Sequence, residues 1–248
     1  MPKKSVIHEY KSDEKIRINK YLSDAGICSR READRLIEAG KVTVDGKKAE
    51  MGMRVLPHQK VCVNGKKAVY EDELVLIAVN KPVGIECTSD KNNPDNIVDF
   101  VNYPTRIYTI GRLDKNSDGL ILMTNDGNIV NKISKSVNAH EKEYVVKVNK
   151  KITDEFITNM SDGVEILGKM TNPCTVIRES NDEFRIILTQ GMNRQIRRMC
   201  ETQGYKVISL TRVRIMNIQL GKLKSGTYRK ITHEELDELL RRLKDSVN

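Results

Sequence analysis

The stretch Gly111–Leu120 places the carboxylate of Asp114 two residues after the guanidinium of Arg112, between two apolar segments of strand length. Charged side chains are seldom buried without a partner. Such an interruption is therefore either an exposed turn or a site at which an opposite charge meets the carboxylate. Asp118 precedes a glycine and is interpreted as a turn residue rather than as a second acid.

Three further segments concentrate polar residues beside predicted strands, and they span residues 80–85, 140–148 and 188–200. In the second segment, Tyr144 shares one strand face with two valines. In the third, Arg194 and Arg197 are about one helical turn apart, so both can point towards one cleft. Asn193 is placed to cap the helix that carries them.

The body that holds these segments mixes strands and helices. Strands are predicted at 74–79, 107–110, 120–124, 143–149, 184–189, 207–210 and, less regularly, 213–220. Helices are predicted near 95–102, 128–136, 153–160, 193–203 and 233–244, the last after a capping box at Thr232. Strands and long helices do not alternate regularly, and several strands are expected to be antiparallel neighbours. The pattern predicts an α+β domain with a mixed, mainly antiparallel sheet and flanking helices.

A smaller module precedes this body. Apolar residues from Ile18 to Ala25 recur at helical spacing, and Ser29 with Glu32 has the form of a capping box before a second helix that ends at Gly40. The dipeptides Asp45-Gly46 and Asn64-Gly65 are hairpin-turn signals. We predict a flexible tail at 1–14, a small domain of two helices and a sheet at 15–66, and the body at 67–248, with a linker near 65–72.

The positive charge is concentrated in the small module. The chain carries 43 Lys+Arg against 34 Asp+Glu, and residues 1–70 hold 16 basic and 9 acidic residues. This excess fits either a polyanion-binding surface or a solvated, solubilising face. The basic residues that can lie away from its apolar stripe are Arg17, Lys20, Arg30, Arg31 and Lys41.

The cysteines and histidines limit the classes of protein to which this chain can belong. The five cysteines are far apart with no C-x-x-C pair, which argues against a disulfide framework and a zinc site. Four scattered histidines do not suggest another metal site. The first residues lack an apolar signal core, and no apolar run is long enough for a bilayer. A cytosolic, cytoplasmic protein without membrane partners is expected.

The small module resembles the S4 RNA-binding domain over residues 16–64. The resemblance lies in Arg-Ile-Asn-Lys-Tyr-Leu at 17–22, Ser-Arg-Arg-Glu-Ala-Asp-Arg-Leu-Ile at 29–37 and Gly-Lys-Val-Thr-Val-Asp-Gly at 40–46. It implies RNA binding. Because aromatic residues are only 4% of the chain, we expect RNA to be held by shape and phosphate contacts rather than by extended base stacking.

The whole of residues 16–245 resembles the pseudouridine synthases of the RsuA/RluB/RluE/RluF branch. Four segments match in order: Asn-Lys-Pro-Val-Gly-Ile, Gly-Arg-Leu-Asp-Lys, His-Glu-Lys-Glu-Tyr and Asn-Arg-Gln-Ile-Arg-Arg-Met-Cys. The resemblance implies that Asp114 is the catalytic aspartate, Tyr144 the active-site tyrosine and Arg197 the arginine that pairs with the aspartate. Lys81, Arg112 and Arg194 are candidate contacts to RNA phosphates, although Lys81 can equally just end a strand.

The reaction that this family implies explains these residue types. Uridine becomes its C-glycoside when the N1–C1′ bond breaks, the base rotates and C5 joins C1′. A carboxylate can assist by attack at C1′ or by taking a sugar proton, and the sequence does not distinguish the two. No redox change or hydrolysis occurs, so no cofactor or metal is expected. We expect a monomer acting on structured RNA, 23S ribosomal RNA first. The alternatives are 16S ribosomal RNA, tRNA, or a catalytically silent ribosome-assembly factor.

Overall fold

The computed structural model describes residues 15–69 and 74–247. The predicted tail at 1–14 and part of the predicted linker lie outside the described residues. The chain divides into two compact units. The first unit comprises the described residues up to Val75 together with Pro104–Ile107 and Asn125–Gly127, and the second comprises Leu76–Tyr103, Tyr108–Thr124 and the residues from Asn128 onwards.

The first unit has two helices and two small sheets. Its elements are β1 (Ile16–Arg17), α1 (Ile18–Asp24), α2 (Arg30–Glu38), β2 (Val42–Val44), β3 (Lys47–Lys48), β4 (Arg54–Val55), β5 (Val61–Val63) and β6 (Lys66–Lys67). β1 pairs with β4, and the other strands form a sheet in the order β3-β2-β5-β6. Apolar side chains of both helices, including Ile18, Leu22 and Ile37, are buried in one core. The predicted arrangement of two short helices and a small sheet is confirmed.

Local sequence explains the ends of these elements. The Ser29 hydroxyl accepts a hydrogen bond from the Glu32 backbone N–H at 3.1 Å, which caps α2. The Glu32 carboxylate contacts Arg35 at 3.3 Å, so only the serine half of the predicted capping box is formed. Both residues of each predicted hairpin turn have positive φ, as type I′ turns require: Asp45 and Gly46 at 49° and 83°, Asn64 and Gly65 at 49° and 77°.

The second unit is built on one large sheet. Its elements are β7 (Leu76–Lys81), α3 (Ile97–Val101), β8 (Tyr108–Ile110), β9 (Asp118–Thr124), α4 (Gly127–Ser134), β10 (Lys142–Val148), α5 (Asp154–Asp162), β11 (Glu165–Ile166), β12 (Lys169–Met170), β13 (Thr175–Arg178), β14 (Glu183–Leu188), α6 (Gln195–Thr202), β15 (Val207–Ile215), β16 (Ile218–Gln219), β17 (Tyr228–Lys230) and α7 (His233–Arg242). The sheet runs β13-β14-β10-β15-β9-β7-β17, with β16 beside β15 and β8 beside β9. The β15–β9 pair is parallel, and its other pairs are antiparallel. The predicted α+β class with a mixed, mainly antiparallel sheet is confirmed.

The two strands β7 and β9 each carry a run of four buried apolar residues, as expected for strands covered on both sheet faces. Residues 76–79 of β7 and 120–123 of β9 are buried, the latter completely. The two strands predicted at 207–210 and 213–220 are instead one nine-residue strand, β15, followed by the short β16. The short strands β11, β12, β13 and β17 were not predicted.

The sheet forks at β9. β7 pairs along one edge of β9 from Gly119 to Thr124. On the other edge, Asp118 and Gly119 pair with β15, whereas residues 122–124 pair with β8. The loop of residues 111–117 joins β8 to β9 at this fork, so the sheet topology holds the predicted catalytic segment where two strands diverge.

Candidate active site

Asp114 lies in the middle of the 111–117 loop, and several contacts fix that loop. The backbone N–H of Ser117 donates to the Asp114 carbonyl at 3.1 Å, and Gly84 N–H donates to the Lys115 carbonyl at 2.8 Å. Leu113 N–H donates to the thiol sulfur of Cys87 at 3.3 Å. These bonds fix the backbone of the loop, and the Asp114 side chain keeps 38% exposure, so its carboxylate remains accessible.

Arg197 supports this loop from α6. Its side chain is buried, and its Nη2 donates to the Asn116 carbonyl at 2.7 Å and to the Ser117 hydroxyl at 3.1 Å. Burial lowers the pKa of the guanidinium, the charge of Arg194 lowers it further, and the charge of Asp114 opposes both. Arg197 therefore acts on the backbone that carries Asp114 and interacts with its charge.

The expected direct ion pair of Asp114 with Arg197 is wrong in detail. Among the described residues, the cation within 4.0 Å of the Asp114 carboxylate is Arg194, through Nη1 at 4.0 Å. Arg194 also donates to the Asn116 side chain at 3.4 Å. Arg194, which we predicted to contact an RNA phosphate, thus lies beside the Asp114 carboxylate.

The start of α6 explains why Arg194, rather than Arg197, lies within 4.0 Å of the Asp114 carboxylate. The helix begins at Gln195, and its N-cap residue is Arg194 in the left-handed conformation at φ 50°. The prediction that Asn193 caps the helix is wrong, because its oxygens accept from the Arg198 side chain at 3.1 and 3.3 Å instead. A left-handed arginine is uncommon, and here it lies next to the loop of Asp114.

Tyr144 lies on β10, opposite Arg212 of β15 and Ile186 of β14. Its ring is half-buried, and the Arg212 guanidinium carbon lies 6.0 Å from the ring centroid. Val146 and Val148, two and four residues along the strand, are buried, which agrees with the predicted common face.

A cleft of about 740 Å³ brings the predicted residues together. The side chains that line it include Asp114, Tyr144, Arg194, Arg197, Arg112, Lys142 and Arg212. A cleft of this size accommodates one nucleotide-sized group. The structure therefore collects Asp114, Tyr144 and Arg197 in one place, and their catalytic roles stay predictions.

Sequence reasoning missed Lys142 and Arg212. Lys142 is two residues before Tyr144 and so shares its strand face. Arg212 is 2% exposed and lies in the middle of β15. We had predicted two strands there, at 207–210 and 213–220, and Arg212 falls in the gap between them. The available signal was a charged residue between the apolar residues Leu210 and Val213, since a buried charge indicates a specific partner.

The predicted RNA contact by Lys81 is contradicted. Its side chain is fully buried, and Nζ donates to the carbonyl oxygens of Pro82 at 2.9 Å and Ile85 at 2.8 Å. Burial lowers the pKa of this amine. Lys81 therefore holds the turn after β7 and cannot reach a phosphate, whereas Arg112 is exposed and its RNA contact stays a prediction.

Asp118 is not the turn residue that we predicted. It is the first residue of β9, and its carboxylate accepts a hydrogen bond from the Thr211 hydroxyl at 2.6 Å. This contact joins β9 to β15 at the fork.

Most of the predicted RNA-binding residues of the first unit lie on its surface. Arg17, Arg30, Arg31 and Lys41 are exposed, whereas the Lys20 ammonium contacts Asp24 at 2.7 Å. Lys20 is thus already ion-paired within its own helix. The other four are open to a polyanion, and their contacts stay predictions.

The described ranges, 15–69 and 74–247, show neither a metal-binding cluster nor a membrane-spanning helix. They contain no group of three or more His, Cys, Asp or Glu residues that could hold a metal ion. None of the helices in these ranges is long and apolar enough to cross a bilayer.

Comparison with known proteins supplies the family. The family model described as RNA pseudouridylate synthase matches residues 75–202, and the S4 domain model matches residues 16–59. The chain is 53% identical over 236 residues to the dual-specificity RNA pseudouridine synthase RluF of Escherichia coli strain K12, which covers 94% of this chain and 81% of that protein. It is 36% identical over 232 residues to the ribosomal large subunit pseudouridine synthase B of Bacillus subtilis strain 168, which covers 90% of this chain and 95% of that protein.

A solved structure agrees at the level of the fold. A crystal structure of a pseudouridylate synthase superposes with a TM-score of 0.67 at 24% identity, covering 90% of this chain and 99% of the other. The expected branch is confirmed by the RluF relatives. The chain therefore belongs to the RNA pseudouridine synthases, with an S4 RNA-binding domain ahead of the synthase domain, and it is an isomerase.

Proposed function

We propose that this chain converts a specific uridine of 23S ribosomal RNA to pseudouridine, with Asp114 as the catalytic carboxylate and no cofactor. The observation that carries the proposal is the accessible carboxylate of Asp114 on a rigid loop, in one cleft with Tyr144, Arg194 and Arg197. A target uridine must leave its stack to enter this cleft, which costs a few kcal/mol.

The cleft residues supply what the isomerisation needs. Asp114 assists departure of the base, either by attack at C1′ or by taking a sugar proton. Arg194 places a positive charge 4.0 Å from this carboxylate. The Tyr144 ring offers a stacking surface for the extruded uracil, an interaction worth about 1–3 kcal/mol per base. Its phenol is the group that we assign to accept the C5 proton, which must finally leave.

The choice of 23S ribosomal RNA is supported by the name of the Bacillus subtilis relative, which specifies the ribosomal large subunit. The relatives at 53% identity are named dual-specificity enzymes, which supports a second RNA substrate. Ribosomal RNA of the small subunit and tRNA are the structured RNAs to compare.

Tritium release tests the activity and the substrate together. RNAs carrying tritium at uridine C5 lose the label to water when C5 joins C1′. We expect release from 23S ribosomal RNA at one position, identified by mapping pseudouridine with and without the protein. Release only from 16S ribosomal RNA or tRNA would refute the substrate assignment. Tight binding of all three RNAs without release would favour the assembly factor.

The exposed arginine pair of α2 gives a prediction for RNA binding. Replacing Arg30 and Arg31 by Glu should weaken RNA binding uniformly and lower the slope of log K against log salt by about 0.7–0.9 per lost phosphate contact. The measurement is a filter-binding titration at several salt concentrations.

The matched control for this prediction replaces Lys66 and Lys67, which are exposed on β6 of the same unit. Both double variants change the net charge equally. If the two lose affinity equally, the effect is one of overall charge, and a local contact at Arg30 and Arg31 is disproved.

A further inference from the structure

Two cations flank Tyr144 without a carboxylate partner. Lys142 precedes Tyr144 by two residues on β10, and Arg212 lies opposite it on β15. Both line the cleft of Asp114. Ion pairs within 4.0 Å are numerous among the described residues, as at Glu143 on the same strand, yet none of them includes Lys142 or Arg212.

Arg212 holds the fork of the sheet with two of its three nitrogens. Nε donates to the carbonyl of Leu120 at 2.6 Å, and Nη1 donates to the carbonyl of Arg112 at 3.3 Å. These carbonyls lie on either side of Asp114 in sequence. The third nitrogen, Nη2, is buried and has no acceptor among the described residues. Buried donors are rarely left unpaired, because a donor without an acceptor has lost its hydrogen bonds to water and gained none in return.

Lys142, which is half-buried, also has donors that a bound group can use. Its ammonium donates to the carbonyl of His140 at 3.2 Å, which uses one of its three donors. Burial first and the charge of Arg212 second lower the pKa of Lys142 to about 8. Two like charges held together in a half-buried cleft destabilise the free protein, and a bound negative charge offsets that cost.

The reaction produces such a charge beside Tyr144. When N1–C1′ breaks, both bonding electrons leave with the base, and the negative charge spreads over its ring nitrogens and over O2 and O4. C1′ then either bonds a carboxylate oxygen of Asp114, or becomes double-bonded to C2′ as Asp114 takes the C2′ proton. C5 next bonds to C1′, and either the carboxylate departs or C2′ regains its proton. The C5 proton then passes to solvent and N1 takes a proton from solvent, which gives neutral pseudouridine.

We propose that Lys142 and Arg212 bind the detached uracil as its anion, donating hydrogen bonds to its carbonyl oxygens while the ring turns against Tyr144. This rests on the proposed function. Arg212 contributes Nη2, because its Nε and Nη1 already donate to carbonyls and so fix the guanidinium at the fork. Lys142 contributes its two remaining donors. The charge they meet exists only after N1–C1′ cleavage, so they act on the chemical step more than on RNA binding.

Lys142→Met is the principal test, measured as the single-turnover rate and the Kd for full-length enzyme with its substrate RNA. We expect about a 10²-fold lower rate, as for loss of one preorganised donor to a developing anion, with Kd within twofold. The melting temperature should not fall, since the substitution removes an unpaired charge from a half-buried site. Arg212→Lys, which retains a cation, should lower the rate less than Arg212→Met.

Lys147→Met is the matched control, because Lys147 is on the same strand, is exposed and pairs with Asp182 at 3.3 Å. A second RNA carries 5-fluorouridine at the target, whose fluorine stabilises the base anion. With this RNA, Lys142→Met should slow N1–C1′ cleavage by a smaller factor than it does with the uridine RNA.

Four results would overturn the inference. The first is a rate within twofold of the wild type, and the second is a deficit unchanged by fluorine. The third is a loss of RNA affinity that is equally large for an RNA with an abasic target, which would assign the cations to a phosphate. The fourth is a lower melting temperature together with the rate loss, which would assign Lys142 to structure. Failure of the wild type to release tritium would instead refute the proposed function.

Discussion

Asp114→Asn abolishes turnover while RNA binding persists: we expect the single-turnover rate to fall by at least about 10²–10⁴-fold, with Kd unchanged within about twofold. Asparagine keeps the shape of the side chain but can neither attack C1′ nor take a proton. The carboxylate is 38% exposed and 4.0 Å from Arg194, an exposed-type pair that contributes about 0–1 kcal/mol to stability. The loss is therefore chemical, and the melting temperature should stay close to that of the wild type.

Asp95→Asn provides the control for this prediction. Asp95 is a half-exposed carboxylate that contacts Lys115 of the same loop at 2.9 Å, so the substitution changes the same charge beside the same backbone. We expect its rate to remain within about threefold of the wild type. Measurable turnover by Asp114→Asn, at a tenth of the wild-type rate or more, would remove Asp114 from the role of essential carboxylate.

The parts of the site that local sequence determines were predictable. The loop of Asp114 lies between two predicted strands, and the burial of the second follows from its uninterrupted apolar run at 120–123. Tyr144 shares its face with Val146 and Val148 because side chains alternate along a strand. These features depend on residues only a few positions apart, and the structure keeps them.

The pairing of charges around Asp114 was not predictable in the same way. We expected the helix to begin at Asn193, but it begins at Gln195 after a left-handed Arg194. Successive residues point in directions about 100° apart around a helix. A start two residues later therefore changes which arginine faces the loop of Asp114. Positive φ at an arginine has no local sequence signal, and it gives Arg194 the contact expected of Arg197.

The buried cations depend on topology. Arg212 lies in the parallel pair of β15 with β9, whose residues are distant in sequence, and the fork that its guanidinium fills exists only in the assembled sheet. Lys81 was a candidate phosphate contact, with the end of a strand as the alternative, and β7 does end at Lys81. The turn that follows it supplies two carbonyl acceptors, which allow the amine to be buried.

Gly119→Ala should destabilise the synthase unit and disable the site, because Gly119 lies where β9 meets β15. Its φ is +100°, and an added Cβ would lie 2.4 Å from the Arg212 carbonyl oxygen and 2.7 Å from the Arg212 nitrogen. Both obstacles are backbone atoms, so the strands must separate. Positive φ costs about 1–2 kcal/mol for a residue with a Cβ, and overpacking adds about 1–3 kcal/mol. We expect the melting temperature to fall by about 5–15 °C.

The activity of Gly119→Ala should fall further than its stability alone explains. A displaced β15 withdraws Arg212 from the Leu120 and Arg112 carbonyls and so loosens the loop of Asp114. Gly84→Ala is the control, since Gly84 has nearly the same φ, +96°, with no atom within 4 Å of the added Cβ. Calorimetry and single-turnover rates below both melting transitions separate the effects. Equal melting temperatures for the two variants would mean that the close approach of β15 to β9 does not prevent a side chain at position 119.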